Sequence, residues 1–240
     1  GQDELKVCDL TLRGYSRGGV ETCLQVPELG LMFDVGMCPP GAMKYDHILQ
    51  SHGHADHMGG LAYLISQRGM MGQKAPQIHI PAEIEAPLIR ILDAWGEIEG
   101  FELNYHLIPH RAGDRFQVRK DLVVTALKAT HRVPTLGYLV ERRTQRLKAE
   151  FSELPGHEIR DLRAKGEEVT DEVLTPLLCV SGDTQIEFLL EHERVRQARV
   201  LVHEVTAWDG RRDVEQTRYW GHTHIDEMLE HASKFEGEAL

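Results

Sequence analysis

The sequence predicts an α+β (α/β) fold of two packed sheets with helices outside. Three observations carry this. The first third of the chain reads as short strands broken by Gly and Pro. The remainder alternates strands with helices, a mixture that suits two sheets flanked by helices. The 240 residues are also enough for a full core. Sandwiches of this size often form one unit, so residues 1–240 are expected to make a single domain.

In order along the chain, Leu5–Leu12 alternates weakly. Val20–Val26 and Leu31–Val35 read as strands, bounded by turn signals at Gly18–Gly19 and Cys38-Pro39-Pro40-Gly41. Asp46–Ser51 is a short apolar strand, and Met58–Arg68 reads as a helix. Gln77–Ile80 is a brief strand. Over Pro81–Trp95, residues Ile84, Leu88, Ile91 and Leu92 share one helical face. Pro81 opens that helix, Gly96 is expected to end it, and Pro87 to kink or divide it. Strands are expected at Asn104–Ile108, Arg115–Val118, Leu122–Ala129 and Leu136–Glu141. A charged stretch, Arg142–Asp171, precedes a strand at Leu177–Ser181, a short helix at Ile186–Glu191, a strand at Val200–His203 and a last helix at Ile225–Phe235.

The net charge of −11 argues against a protein that coats nucleic acid indiscriminately. It leaves room for an enzyme with a local phosphate-binding patch, because bound cations offset acidic charge. No apolar run approaches the ~18 residues of a membrane span, and GQDELKV lacks the pattern of a signal peptide. A cytoplasmic protein is expected. Cys8, Cys23, Cys38 and Cys179 form no C-x-x-C pair and read as small buried residues in a reducing compartment. The fourteen histidines are numerous, and several cluster.

The strongest chemical signal is His52-Gly53-His54-Ala55-Asp56-His57. Three imidazoles and a carboxylate fall within six residues at the end of a strand. On a regular strand His52 and His54 face one side. A turn after them can swing Asp56 and His57 toward a second point, so one loop builds two neighbouring sites. These ligand types suit zinc, with manganese or iron also compatible. A solvated polar turn does not explain four strong ligands between an apolar strand and an apolar helix.

This spacing resembles the H-x-H-x-D-H motif of the metallo-β-lactamase superfamily. The resemblance implies a four-layer αβ/βα sandwich with a dinuclear site at one edge of the sheets. It points to His131, which ends LVVTALKATH, and to Asp183 in SGDT. It assigns His52, His54 and His131 to one metal, Asp56 and His57 to the other, and Asp183 as the bridge. Taken alone, His131 reads as a strand-end residue and Asp183 as a helix N-cap.

Further segments are similar to short-form ribonuclease Z, a tRNA 3′-processing endonuclease. These are ATHRVPTLGYLVE, SGDT, VLVHEVTAW, YWGHTHIDEMLEHA and LPGHEIRDLRAKGEEVT, spread from Val20 nearly to the C-terminus. That family implies a homodimer acting on precursor tRNA with two divalent ions, zinc or manganese. It also implies an inserted tRNA-contacting segment at about 142–171, where Arg160, Arg163 and Lys165 would grip the backbone. Arg142, Arg143, Arg146 and Lys148 add to this most basic stretch, which otherwise reads as a solvated helix face with ion pairs from Glu158. The family's Pro-x-Lys-x-Arg-Asn loop is replaced here by RGYSRGGVETCL, and its H-S-T reads His222-Thr223-His224. Its last metal ligand lies on a strand after the final helix. EGEAL would begin that strand, so a missing C-terminal strand is expected, with His222 or His224 as substitute ligand if the chain ends there.

The expected chemistry is phosphodiester cleavage by a water shared between two cations, removing the 3′ trailer of precursor tRNA. Asp56 would orient that water or take its proton. His222 would protonate the leaving 3′-oxygen, with Glu204 holding its imidazole. The alternatives are a small-molecule phosphodiesterase or another hydrolase on the same site, and a catalytically dead binding subunit.

Overall fold

In a computed structural model describing residues 3–240, two sheets pack face to face. Sheet A holds seven strands in chain order: β1 (Asp3–Val7), β2 (Leu10–Arg17), β3 (Glu21–Val26), β4 (Leu31–Phe33), β5 (His47–Leu49), β6 (Gln77–Pro81) and β7 (His106–His110). Strands β1 to β4 pair antiparallel, and β4 to β7 pair parallel. Parallel neighbours need a crossover. Helices α1 (Ala55–Met58) and α2 (Leu61–Met70) supply one, and α3 (Glu85–Glu99) supplies the next.

Sheet B runs β8 (Arg115–Arg119), β9 (Leu122–Lys128), β10 (Leu136–Leu147), β11 (Thr170–Val180) and β12 (Val200–Val202), with the edge order β12-β11-β10-β9-β8. Only β11 and β12 pair parallel. Helix α4 (Gly156–Ala164) sits at the far end of the β10–β11 ladder. Helices α5 (Glu187–Glu191) and α6 (Glu193–Arg196) link β11 to β12, and α7 (Val214–Tyr219) and α8 (Ile225–His231) follow. Ala239 forms a parallel bridge with Val200 beside β12.

The layering follows from the two-residue period of a strand. Leu31, Phe33 and Leu49 of sheet A meet Val124, Tyr138 and Val140 of sheet B in the central core. Their immediate neighbours Met32 and Ile48 point the other way, against Leu61, Leu64, Leu88 and Leu92 of α2 and α3. Leu139, Cys179 and Leu201 likewise face Phe188, Leu189, Val195 and Met228. Helix, sheet, sheet and helix thus stack as the four expected layers.

Several boundaries differ from expectation. Leu5–Leu12 is a hairpin, with Cys8 turning in the left-handed region at φ 55°. Cys8 is therefore exposed; only Cys23 and Cys179 are fully buried. The Met58–Arg68 helix is two helices, broken at Gly59–Gly60. Pro87 lies in the first turn of α3, where its missing N–H costs nothing, so it neither kinks nor divides the helix. Gly96 lies inside α3, and Gly100, at φ 76°, ends it. Strands β10 and β11 run well past Glu141 and start well before Leu177, carrying the charged stretch outward as a two-stranded arm.

The parallel strands β4 and β5 and the co-directional β9, β11 and β12 all end at one edge of the two sheets. The chain leaving each of these ends carries Asp34, His52 to His57, His131, Asp183 and Glu204 respectively. Among the described residues, no helix is long and apolar enough to cross a membrane.

Candidate metal centre

His52 and His54 lie beyond β5, in the loop, and one turn of helix, α1, carries Asp56 and His57. Two close backbone approaches hold this loop. Val35 donates its N–H to the His57 carbonyl at 2.7 Å, and Gly60 donates to the Val35 carbonyl at 2.8 Å. A Cβ on Gly36 would stand 1.8 Å from the Asp56 carbonyl oxygen, so only glycine fits there.

Donor atoms of His52, His54, His131 and Asp183 all lie within 4.8 Å of one another. His52 Nε2 is 3.0 Å from His54 Nδ1, and His131 Nε2 is 3.3 Å from the same atom. Asp183 turns one oxygen to each side. Its Oδ2 is 3.7 Å from His52 Nε2 and 3.9 Å from His131 Nε2, and its Oδ1 is 3.3 Å from His57 Nε2. Asp56 Oδ2 is 3.8 Å from His57 Nε2 and accepts from the Gly19 amide at 2.9 Å. Asp183 thus lies between the His52–His54–His131 group and His57, and Asp56 approaches His57 from the far side. Asp183 is no helix cap, since α5 is preceded by Ile186 without a side-chain cap.

The imidazoles are oriented from behind. His131 Nδ1 donates to the Gly221 carbonyl at 2.8 Å, and His57 Nδ1 to Asp34 Oδ2 at 2.8 Å. His52 Nδ1 lies 2.9 Å from Ser51 Oγ, whose hydroxyl donates to Asp34 Oδ2 at 2.7 Å. The other ring nitrogens of these three therefore present lone pairs to the cluster, the arrangement a metal requires. Burial, then the neighbouring imidazoles, hold the pKa of His52 far below its usual range; His54 and His131 are lowered as well, burial first. Burial pushes Asp183 up to about 6. Burial would lower His57, but the Asp34 charge and hydrogen bond outweigh it and raise the ring to about 9. The nitrogens of His52, His54 and His131, kept neutral, converge with an Asp183 oxygen and fit a divalent cation; at His57 a cation would have to displace the ring's proton.

A second cluster adjoins the first: Asp183, Glu204 and His222. Glu204 Oε1 lies 2.9 Å from His222 Nδ1 and accepts from the amides of Thr184 and Thr223 at 3.1 and 3.3 Å. Thr206 Oγ1 donates to its other oxygen at 2.9 Å. Burial works against the charged form of His222; the hydrogen bond and charge of Glu204 more than offset it, and its pKa is raised. A cleft of about 310 Å³ between the sheets is lined by His57, Asp183 and Glu204 at this end and by Leu12, Leu24 and Val202 deeper in.

The profile of the beta-lactamase superfamily domain matches residues 36–149. The protein tRNase Z TRZ1 of Arabidopsis thaliana is 38% identical over 95% of this chain and 82% of its own length. The chain belongs to the ribonuclease Z family. A nuclear ribonuclease Z of Triticum aestivum is 37% identical over 70% of this chain and 96% of that protein. In fold, the chain resembles human tRNase Z, short form, at TM-score 0.54 and 16% identity, over 96% of this chain and 82% of that one. It also resembles the metallo-β-lactamase fold protein YhfI from Bacillus subtilis at TM-score 0.57 and 15% identity, over 95% and 75%. Family membership makes the chain a hydrolase of the metallo-β-lactamase fold.

Within that ribonuclease Z frame, some expected residues lie elsewhere. His224 caps α8: its Nδ1 accepts from the Asp226 amide, Glu227 answers to the His224 amide, and Nε2 meets the Arg212 carbonyl at 3.0 Å. It faces away from the cluster and substitutes for no ligand. Arg160, Arg163 and Lys165 sit exposed on and just after α4, and the structure does not bring them to the metal cluster. Among the described residues Glu158 makes no pair with an arginine, and its one ionic contact is His157 at 3.9 Å. Arg142 and Arg143 are engaged by Asp121 and Glu172 at 3.0 and 2.9 Å, so they add no free charge to the arm. Sequence reading missed Asp34 and Ser51. The available signal was a lone carboxylate interrupting LMFDV, held at φ 59° where Asp is tolerated.

Proposed function

We propose that this chain is a metal-dependent endoribonuclease that removes the 3′ trailer from precursor tRNA. The observation that carries the reading is the shared Asp183, with paired donor groups on one side and the Glu204–His222 pair on the other. The printed names of the Arabidopsis and wheat relatives supply the substrate class.

His52, His54 and His131 would hold one cation, Asp56 and His57 the other, with Asp183 between them. When bound, two such ions supply a strong nucleophile at neutral pH and neutralise charge on the phosphate. Zinc fits the donors first and manganese also. Asp56, held by the Gly19 amide, is oriented to accept a proton beside this position. His222 uses Nδ1 for Glu204, which leaves Nε2 as the nitrogen to carry the proton that is given up. It gives its proton to the leaving O3′ as the P–O3′ bond breaks, leaving a tRNA 3′-hydroxyl and a 5′-phosphorylated trailer. Glu204 is the positioning residue. The exposed cations Arg160, Arg163 and Lys165 at the arm's end would meet tRNA phosphates distant from the cut. A cytoplasmic homodimer belongs to the same reading, and sedimentation of the purified chain tests its dimeric half.

The decisive experiment compares hydrolysis of a 3′-extended tRNA with that of bis(p-nitrophenyl) phosphate. Cleavage of the tRNA at a single position supports the reading. Hydrolysis of the ester with none of the tRNA replaces it with a small-molecule phosphodiesterase.

A further inference from the structure

The rim of the site carries aromatic rings and guanidinium groups that the chemistry above leaves unused. Arg132 follows His131 directly. Its guanidinium carbon lies 4.5 Å from the centre of the Trp220 ring and 5.9 Å from that of Tyr219. Tyr219 and Trp220 meet edge to face at 5.4 Å, at the end of α7 and two residues before His222.

Backbone packing enforces this placement. Gly221 adopts φ 78°, and a Cβ there would stand 2.9 Å from both Cα and Nδ1 of His131. The turn at 220–222 therefore lies directly on the turn at 131–132, and the rings of His131 and His222 are 4.9 Å apart. Arg132 is the residue next to His131, and only Gly221 separates Trp220 from His222.

These rings face water. Trp220 is 45% exposed, Tyr219 72% and Trp208, on the neighbouring loop, 75%. In a chain of net charge −11, Arg132 and Arg212 stand exposed among them. Exposed aromatic faces interleaved with cations beside a phosphate-cleaving site have the chemistry of a seat for unpaired nucleotides. The leaving O3′ decides which nucleotide. It takes its proton from His222, so the ribose that bears it lies against His222 and within reach of Trp220.

We propose that Trp220, with Arg132 across its ring, seats the base of the nucleotide on the 5′ side of the scissile phosphate, the last one retained in the product. This rests on the tRNA reading and deepens it. Every base has a π-face, so the seat holds the nucleotide without selecting its identity. The guanidinium extends the stack and meets a flanking phosphate.

The test measures kcat/KM for wild type, Trp220→Ala and Trp220→Phe on two 3′-extended tRNAs, one ordinary and one abasic at the last retained nucleotide. Wild type is also assayed on bis(p-nitrophenyl) phosphate. On the ordinary tRNA, Trp220→Ala should lose on the order of tenfold to a hundredfold, and Trp220→Phe much less. The abasic nucleotide should cost wild type a similar factor and cost Trp220→Ala under about threefold, because no stack remains to lose. Equal abasic cost in wild type and Trp220→Ala overturns the proposal, as does full tRNA cleavage by Trp220→Ala. A wild type that hydrolyses the ester but not the ordinary tRNA removes the tRNA reading itself, and this proposal with it.

Discussion

Asp34 Oδ2 stands 2.8 Å from Nδ1 of His57, and both side chains are buried. The same carboxylate accepts from the Ser51 hydroxyl and amide and from Gln50 Nε2 at 2.9 Å. One acid from the end of β4 therefore fixes His57 directly and His52 through Ser51. Replacing Asp34 by Asn leaves the shape and removes the charge. Metal affinity is expected to fall by roughly 10–100-fold, as for other groups that orient a metal-binding histidine. Competition with a chelator measures it; unchanged affinity would show that the loop holds His57 unaided.

Asp183 faces both candidate positions through different oxygens. Asp183→Ala is expected to lose both ions. Elemental analysis of the purified variant reads this directly, and full zinc content contradicts the bridging role.

Glu204 has two possible uses, because it belongs to a donor group with Asp183 and His222 and also ion-pairs with His222. Glu204→Gln separates them. As a positioning residue its loss should slow cleavage by about 10²-fold, the low end for acid–base catalysis, with metal content kept. Loss of metal in step with activity would make it a ligand instead.

The cations near the end of the arm should act through charge alone. Neutralising Arg160 and Arg163 together should weaken tRNA binding and flatten the salt dependence, by about one unit of slope per lost phosphate contact. Hydrolysis of bis(p-nitrophenyl) phosphate should not follow. An unchanged slope would return α4 to a solvated helix.

Away from the site, His79 is buried, with Nδ1 2.9 Å from His110 Nε2 and its ring 4.4 Å from that of Phe116. Burial, then the adjacent histidines, lower its pKa to about 3; His47 and His110 are lowered too, by burial. Above about pH 6.5 His79 is neutral folded and unfolded, and its contribution does not change with pH. As pH falls below that, only the unfolded chain takes up the proton. Stability should drop by about 1.4 kcal/mol per pH unit from this residue until its folded pKa is reached. Urea melts of wild type and His79→Gln between pH 7 and 5 check this: the variant should show the shallower decline.

The metal loop was readable locally because its ligands sit within six residues and their chemistry is unlike that of a turn. The layers were readable because a strand's alternation survives in Leu31-Met32-Phe33 and Tyr138-Leu139-Val140. Helix ends were less so. Gly96 passes through α3 because the Phe101 carbonyl packs where its Cβ would be, a contact no local propensity encodes.

By itself the sequence determined which side chains could bind metal and which faces were apolar, since both depend on residue type and short-range period. Only the tertiary structure decided how they meet. Asp34 lies 23 residues from His57, and His131 lies 90 from Gly221. It also turned His224 away from the cluster to cap α8 and stood Arg132 on Trp220. Such pairings depend on where strands end and how closely two turns approach, and spacing along one chain does not carry that distance.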